Sequence, residues 1–224
     1  MQRHLIIVAK RPLAGYAKTR LGAGIGSEQA AGVYARLLYQ LLGEIAGGDL
    51  PGIAAELAVA APADVPFFEG AFPEFLVRAQ ADGDMGDRLT ASFGRAYDEG
   101  ADAVVLVASD VPGLTARIVR EAFGLLDRRC RQGLLAGVIG PTADGGYYLI
   151  GMRAPGAALF DGIAWSTSGV LAQTAALAAA RHVALARLPE LVDVDVRADY
   201  ELWRRRLRKI GQWPSTDDPG GGVT

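Results

Sequence analysis

The chain has 224 residues, half of them apolar, and a formal net charge of −2 at pH 7. This length and apolar content predict one α/β domain with a substantial core, and the charge argues against a nucleic-acid-binding protein, which would carry a basic stripe. One cysteine and two histidines exclude a disulfide framework and argue against a transition-metal centre, so any metal should be Mg²⁺ or Mn²⁺ held by carboxylate oxygens.

No apolar run approaches the ~20 residues of a membrane span, and the run at residues 5–9 is too short for a signal peptide. We therefore expect a cytoplasmic protein without a membrane partner.

Apolar runs typical of buried strands alternate with helical patterns along the chain. The strand candidates are residues 4–9, 54–61, 74–80, 103–109, 133–140 and 147–152, with weaker ones near 183–187 and 191–194. The helix candidates are residues 27–46, 86–99, 115–129, 166–181 and 197–209. Ser27 and Thr115 are the predicted N-caps of the first and third helices.

Strands that are buried on both faces and separated by helices predict a mostly parallel sheet flanked by helices. No linker interrupts residues 1–209, so we expect a single domain there. The polar, Gly- and Pro-rich residues 210–224 predict a disordered tail.

The segment KRPLAGYAKTRL, residues 10–21, directly follows the first predicted strand and holds two of the three lysines, Lys10 and Lys18, together with Arg20. Ligands of such sheets gather at the carboxyl ends of strands, where compact cations on a Gly-containing turn favour a phosphate site. The alternative is a solvated surface loop, and charge alone does not separate the two.

A carboxylate follows the fourth predicted strand in ASDVPGL, where Asp110 precedes Val-Pro. Mg²⁺ usually takes one or two protein carboxylates plus phosphate and water oxygens, so a second acid from another strand end is expected, and Asp195 or Asp193 fits. The alternatives are a turn or capping role for Asp110 and a helix-capping role for Asp195.

The segment PTADGGYY follows the fifth predicted strand. Its paired glycines, Gly145 and Gly146, are typical of a tight hairpin, and they also permit close approach of a ligand or another backbone. We expect both.

With these segments in place, the sequence resembles the bacterial family DUF2064, a glycosyltransferase-like family within the nucleotide-diphospho-sugar transferase (GT-A, Rossmann-like) fold. The segments AKRPLAGYAKTRL, ASDVPGL, GPTADGGYYLIG and LFDGIAWST carry the resemblance in this order, and DVDVRADY closes it. The KTRL element is also similar to the phosphate loop of 2-phospholactate guanylyltransferases, and the closing segment is similar to one in molybdenum-cofactor guanylyltransferases. Ala108 and Val196 depart from the family pattern, which has Gly and Thr at these positions.

The resemblance implies a role for each segment. Lys18 and Arg20 would be catalytic, stabilising charge on the transferred or leaving phosphate, and Asp110 and Asp195 would hold Mg²⁺ or Mn²⁺. The implied nucleotide-binding residues are Ala9, Lys10, Pro12, Gly15, Lys18, Arg20, Leu21, Arg88 and Asp110. The implied acceptor-binding residues are Asp144, Gly145, Gly146, Tyr147, Trp165 and Thr167.

Some of these residues have equally good structural interpretations. Trp165 could belong to the core, Ser166 could cap a helix, and Arg88 could lie on a solvated helix face.

Two reactions suit such a site. Nucleotidyl transfer from a nucleoside triphosphate to a small phosphorylated acceptor is slightly favoured, because SDVP has one acid where glycosyl enzymes of this fold carry Asp-x-Asp. Glycosyl transfer from a nucleotide-diphospho-sugar to a small acceptor is the alternative, and a non-catalytic nucleotide-binding regulatory domain is the third possibility. The base, the acceptor and the oligomeric state stay open.

Overall fold

A computed structural model describes residues 2–48, 50–153 and 159–209 of the chain. The predicted tail, residues 210–224, lies outside the described residues. The strands are β1 Arg3–Ala9, β2 Ile53–Val59, β3 Leu76–Ala79, β4 Ala103–Ala108, β5 Ala136–Pro141, β6 Tyr147–Arg153 and β7 Ala184–Arg187. The α-helices are α1 Thr19–Ile25, α2 Ser27–Gly47, α3 Val65–Ala71, α4 Met85–Asp98, α5 Ala116–Arg131, α6 Val170–Ala180 and α7 Arg197–Lys209, and a 3₁₀ turn spans Pro62–Asp64.

The strands form one sheet in the order β3-β2-β1-β4-β6-β5-β7. All neighbours are parallel except that β6 runs antiparallel to both β4 and β5, which confirms the predicted mostly parallel sheet. The chain moves from β1 outward to β2 and β3 and then returns to the other side of β1 as β4. The carboxyl ends of β1 and β4 therefore flank a topological switch point, where open α/β sheets bind ligands.

Alternate strand residues face two separate cores, because successive side chains of a strand point to opposite faces. Ile7 belongs to the core that also contains residues of α2, α3 and α5, whereas Ile6 belongs to the core that contains residues of α4 and α6. A third cluster joins α1, α2 and α7 through Leu21, Leu37 and Trp203. Helices thus cover both faces of the sheet, while its carboxyl edge carries the loops.

Several boundaries differ from those predicted. Ser27 as an N-cap is wrong, because the cap position of α2 is Gly26 at φ +95° and no side chain bonds the free N–H groups. Thr115 as an N-cap is confirmed, since its Oγ1 accepts the N–H of Ile118. The helices α1 and α3 were not predicted.

Two other predicted elements are also shorter than expected. Helix α6 begins at Val170 instead of 166, and residues 191–194 form only one isolated bridge, between Leu191 and Thr142. No helix in the described part of the chain is both long enough and apolar enough to cross a membrane.

Candidate active site

A cleft of about 750 Å³ opens at the carboxyl ends of β1 and β4, at the topological switch point of the sheet. This volume is typical of a small-molecule site. The polar lining comes from six places in the chain: Lys10 to Arg20 after β1, Tyr34 on α2, Ser109 and Asp110 after β4, the hairpin between β5 and β6, residues 166–168 before α6, and Asp193 with Asp195 before α7.

Lys18 lies between two carboxylates at the centre of this lining. Its Nζ is 2.7 Å from Asp110 Oδ2 and 3.7 Å from Asp195 Oδ1, and its side chain is only 5 % exposed. A desolvated ammonium needs such partners, because an unpaired buried charge is strongly unfavourable. For Lys18, the interpretation as a solvated surface residue is therefore wrong.

Asp195 also pairs with Arg20, whose Nη1 donates to Asp195 Oδ2 and whose side chain is 73 % exposed. The helix-capping interpretation of Asp195 is wrong, because its carboxylate pairs with Lys18 and Arg20 and α7 begins two residues later, at Arg197. The capping interpretation of Asp110 is wrong as well, since helix α5 is capped by Thr115.

Tyr34 on α2 links the two strand ends that flank the cleft. Its hydroxyl accepts the backbone N–H of Lys10 at 2.9 Å and shares a hydrogen bond of 2.9 Å with Ser109 Oγ. Burial raises the pKa of Tyr34 to about 12, although the Ser109 hydrogen bond opposes this, so the phenol stays neutral and serves both partners. The exposed Lys10 side chain places Nζ 5.6 Å from the centre of the Tyr16 ring.

The predicted hairpin between β5 and β6 is confirmed. Asp144 Oδ1 accepts from Thr142 Oγ1 and from the N–H of Gly146, which closes the turn. Gly145 has φ +91°, and a Cβ at this position would overlap the backbone of Ser168. The glycine therefore allows the segment before α6 to pack directly on the hairpin and to line the cleft.

Aromatic side chains form the wall next to this hairpin. Trp165 and Tyr147 meet edge to face with ring centroids 6.4 Å apart, and both line the cleft. Trp165 also packs against the core between the sheet and α4 and α6, which confirms its core interpretation, while acceptor binding stays a prediction. Ser166, at φ +63°, is not a helix cap, and Thr167 Oγ1 donates to the carbonyl of Ala164.

Asp193 is the most perturbed carboxyl group of the cleft. Burial and the charge of Asp144 raise its pKa to about 6, with smaller contributions from Asp110 and Asp195, while Lys18 acts in the opposite direction. The cleft is thus acidic on this side, and Lys18 partly compensates the repulsion.

The structure brings most of the predicted site residues together. The predicted residues that line the cleft are Ala9, Lys10, Lys18, Arg20, Asp110, Asp144, Gly146, Tyr147, Trp165, Thr167 and Asp195. Pro12 and Gly15 lie in the turn before α1, with Gly15 at φ +75°, and they do not line it. Leu21 is wholly buried in the third cluster and does not line the cleft. Arg88 does not line it either, and its Nε donates to the Gly83 carbonyl.

Sequence reasoning missed Tyr16, Tyr34 and Ser109, and it considered Asp193 only as an alternative to Asp195. A signal for Tyr34 exists, because it lies on the buried apolar stripe of α2 with Ala30 and Leu38, and a buried tyrosine hydroxyl requires a partner.

The donor set suits a metal that arrives with phosphates. In the described part of the chain, no group of three or more acidic, histidine or cysteine side chains is arranged to hold a metal by itself. Asp110 and Asp195 nevertheless converge on one cation, Lys18 Nζ. Two carboxylates completed by phosphate oxygens and water are the usual environment of Mg²⁺.

Comparison with known proteins identifies a family and several solved structures of similar fold. The family described as "Uncharacterized protein conserved in bacteria (DUF2064)" matches residues 46–167. A protein of Desulfovibrio desulfuricans G20, provisionally named a nucleotide-diphospho-sugar transferase, is 30 % identical with a TM-score of 0.83, over 93 % of this chain and 89 % of that one. No curated protein matches the sequence.

Two more distant structures share the fold alone. CMP:2-keto-3-deoxy-manno-octonic acid synthetase with CTP has a TM-score of 0.54 at 14 % identity, over 94 % of this chain and all of that one. A mannosyltransferase of Pyrobaculum calidifontis with GDP-Man and Mn²⁺ has a TM-score of 0.55 at 13 % identity, over 97 % of this chain and 66 % of that one. The fold is thus that of the nucleotide-diphospho-sugar transferases, of GT-A type, and the chain belongs to the DUF2064 family.

Proposed function

We propose that this protein is a metal- and nucleotide-dependent transferase that transfers a nucleotidyl group from a nucleoside triphosphate to a small phosphorylated acceptor. The observation that carries the proposal is the convergence of Lys18, Arg20, Asp110 and Asp195 in one cleft at the switch point of the sheet. Cations that can bind phosphate lie there beside carboxylates that can hold Mg²⁺.

The cations act on the phosphates. Lys18 Nζ and the Arg20 guanidinium exchange their aspartate partners for phosphate oxygens, and they stabilise the charge that develops on the leaving pyrophosphate. Lys10 Nζ, exposed at the same edge, adds a further positive charge. An oxygen of the acceptor attacks the α-phosphorus, and the bond from that phosphorus to the oxygen bridging to the β-phosphate breaks.

The carboxylates act on the metal. Asp110 and Asp195 would hold Mg²⁺ or Mn²⁺, which neutralises phosphate oxygens when it is bound. The distant similarity to a CTP-bound synthetase and to a Mn²⁺-bound mannosyltransferase supports this combination of nucleotide and metal.

The acceptor binds in the other half of the cleft. There the hairpin carries Asp144, Gly146 and Tyr147, and the segment before α6 adds Trp165 and Thr167. The packing of Ser168 on Gly145 fixes these two segments relative to each other, which suits an acceptor that must be oriented toward the phosphates.

Glycosyl transfer from a nucleotide-diphospho-sugar is the second candidate. The aromatic wall of Tyr147 and Trp165 favours it, because aromatic faces and edges offer apolar contact area with a polar handle to a sugar ring. In that reaction a nucleoside diphosphate leaves instead of pyrophosphate.

Thermal unfolding with GTP, CTP, UTP, ATP and their sugar diphosphates, with and without Mg²⁺, tests the nucleotide site. A ligand at about 100 times its dissociation constant adds ~2.7 kcal/mol, which raises Tm by about 5–10 °C for a domain of this size. The active nucleotide is then incubated with phosphorylated and unphosphorylated acceptors, and the products are identified by mass spectrometry.

Each product has a separate meaning. Pyrophosphate supports nucleotidyl transfer, a nucleoside diphosphate supports glycosyl transfer, and binding without turnover supports a regulatory nucleotide-binding domain. A flat panel with both Mg²⁺ and Mn²⁺ contradicts all three. Lys18→Met should lose turnover by about two to three powers of ten, whereas Lys209→Met, on the exposed end of α7, should not change it.

A further inference from the structure

Lys18 is held in an unusual conformation at the centre of the cleft. Its backbone adopts φ +49° and ψ +47°, the left-handed region that non-glycine residues rarely occupy. The carbonyl of Lys18 accepts the N–H of Gly22 in the first turn of α1, and Nζ reaches both Asp110 and Asp195. The surrounding structure therefore fixes this ammonium at the point where the two carboxylates meet.

We infer that Lys18 is an internal counterion that excludes free divalent metal from the Asp110–Asp195 pair until a phosphate draws it away. The inference rests on the proposed function for the identity of the metal site. It assigns Lys18 a second role, selection of a metal–phosphate complex over the bare metal ion.

The geometry explains the exclusion. A divalent ion held by Asp110 would bind the carboxylate whose Oδ2 the Lys18 ammonium already contacts at 2.7 Å. The two cations would therefore compete for the same oxygens and repel each other at short range, in a site where the lysine side chain is hardly exposed to water. Free metal must displace Lys18 from the two carboxylates with which it pairs.

A bound phosphate changes this balance. Phosphate oxygens offer Lys18 a new partner, and they also offer the metal additional ligands, so the ammonium and the metal stop competing. Metal binding and phosphate binding therefore assist each other, and by linkage the assistance is equal in both directions.

Mn²⁺ binding measured from the electron paramagnetic resonance signal of the free ion tests the inference. The wild type and Lys18→Met are each titrated with Mn²⁺ alone and with the Mn²⁺–pyrophosphate complex. We expect Lys18→Met to bind free Mn²⁺ at least about tenfold more tightly than the wild type, equivalent to ~1.4 kcal/mol. We expect the same variant to bind Mn²⁺–pyrophosphate more weakly, so that the ranking of the two proteins reverses.

Three variants separate charge from other effects. Lys18→Arg keeps the positive charge and should exclude free Mn²⁺ as the wild type does. Lys209→Met removes a cation from the exposed end of α7, outside the cleft, and it should leave free Mn²⁺ binding unchanged. Lys18→Gln repeats the charge removal with a polar side chain, in case Lys18→Met does not fold.

Equal affinity of wild type and Lys18→Met for free Mn²⁺ overturns the counterion role and leaves the proposed metal site in place. Weaker binding of both ligands by Lys18→Met and Lys18→Gln also overturns it, because Lys18 would then only shape the site. If no protein binds Mn²⁺ with or without pyrophosphate, the inference fails together with the metal site of the proposed function.

Discussion

Replacing Tyr34 by phenylalanine removes the hydroxyl that joins the two strand ends of the cleft. This hydroxyl accepts from the Lys10 N–H and bonds Ser109 Oγ, each at 2.9 Å, and both Tyr34 and Ser109 are about 5 % exposed. A buried donor that loses its acceptor costs about 1–3 kcal/mol. Because the cleft can admit a water to the vacated place, we expect about 2 kcal/mol, which corresponds to a fall in Tm of ~4–8 °C.

The same change should weaken the site. Without the bridge, Lys10 and Asp110 are no longer fixed relative to each other, so the Mg²⁺-dependent affinity for the nucleotide should fall about five- to tenfold, equivalent to ~1–1.4 kcal/mol. Calorimetric unfolding and nucleotide titration measure the two effects on the same samples. Tyr39→Phe is the matched control, since Tyr39 lies on the same helix with 37 % of its surface exposed. If Tyr34→Phe matches this control in both measurements, the bridge does not position the site.

Three further changes test other parts of the structure. Asp110→Asn should abolish the Mg²⁺ dependence of nucleotide thermal shifts while the protein remains folded, and a Mg²⁺ dependence that persists would remove Asp110 from the metal site. Burial raises the pKa of Glu56, but hydrogen bonds from His4 and Arg95 outweigh it and lower the pKa to about 2, so this carboxylate stabilises the fold above pH ~4.5 and loses that effect as the pH falls toward 2. Glu56→Gln should therefore cost about 3–5 kcal/mol in urea unfolding at pH 7 and flatten the stability profile between pH 5 and 2. Gly145→Ala should displace the segment that Ser168 anchors, lowering acceptor turnover more than nucleotide affinity, and wild-type kinetics in this variant would contradict the packing argument.

The hydrophobic runs predicted the sheet well because its central strands are buried on both faces. The strands β1 and β4 read as continuous apolar stretches, and the structure places them side by side at the centre. The strand after residue 133 starts later than predicted, at Ala136, because Leu134 and Leu135 are apolar yet exposed, and an apolar pattern does not distinguish the two cases.

The helices α1 and α3 could not be predicted from local preference. Helix α1 has the sequence TRLGAGI, with two glycines, and α3 has VPFFEGA, with a proline at its start and a glycine near its end. Such sequences favour turns, and tertiary contacts make them helical. Leu21 packs in the cluster that joins α1, α2 and α7, and Phe68 packs in the core that contains residues of α2, α3 and α5. Helix α6 starts at Val170, later than predicted. Ser166 has a positive φ, so the helix cannot extend back to this residue.

Which residues form the candidate site was easier to predict than the burial and the contacts of their side chains. Residues that follow parallel strands meet at one edge, so Lys18, Asp110 and Asp195 could be grouped from strand ends alone. The burial of the Lys18 side chain could not be predicted, because a lysine between Ala17 and Thr19 in a loop is ordinarily solvated. Its burial follows from two aspartates that are 92 and 177 residues away along the chain, counted from the positions 18, 110 and 195.

Because the Lys18 side chain is buried, its positive charge affects the stability of the folded protein. An exposed lysine would contribute little to folding and could be lost at small cost. Lys18 instead neutralises an acidic cleft whose repulsion is visible in the raised pKa of Asp193, near 6, which burial and Asp144 raise and Lys18 lowers. Lys18 therefore offsets part of the negative charge of the cleft without ligand, and in the proposed mechanism the same side chain binds the phosphate. In the proposed mechanism, ligand binding exchanges the aspartate partners of Lys18 for phosphate oxygens, so phosphate binding is coupled to the carboxylates through this one side chain.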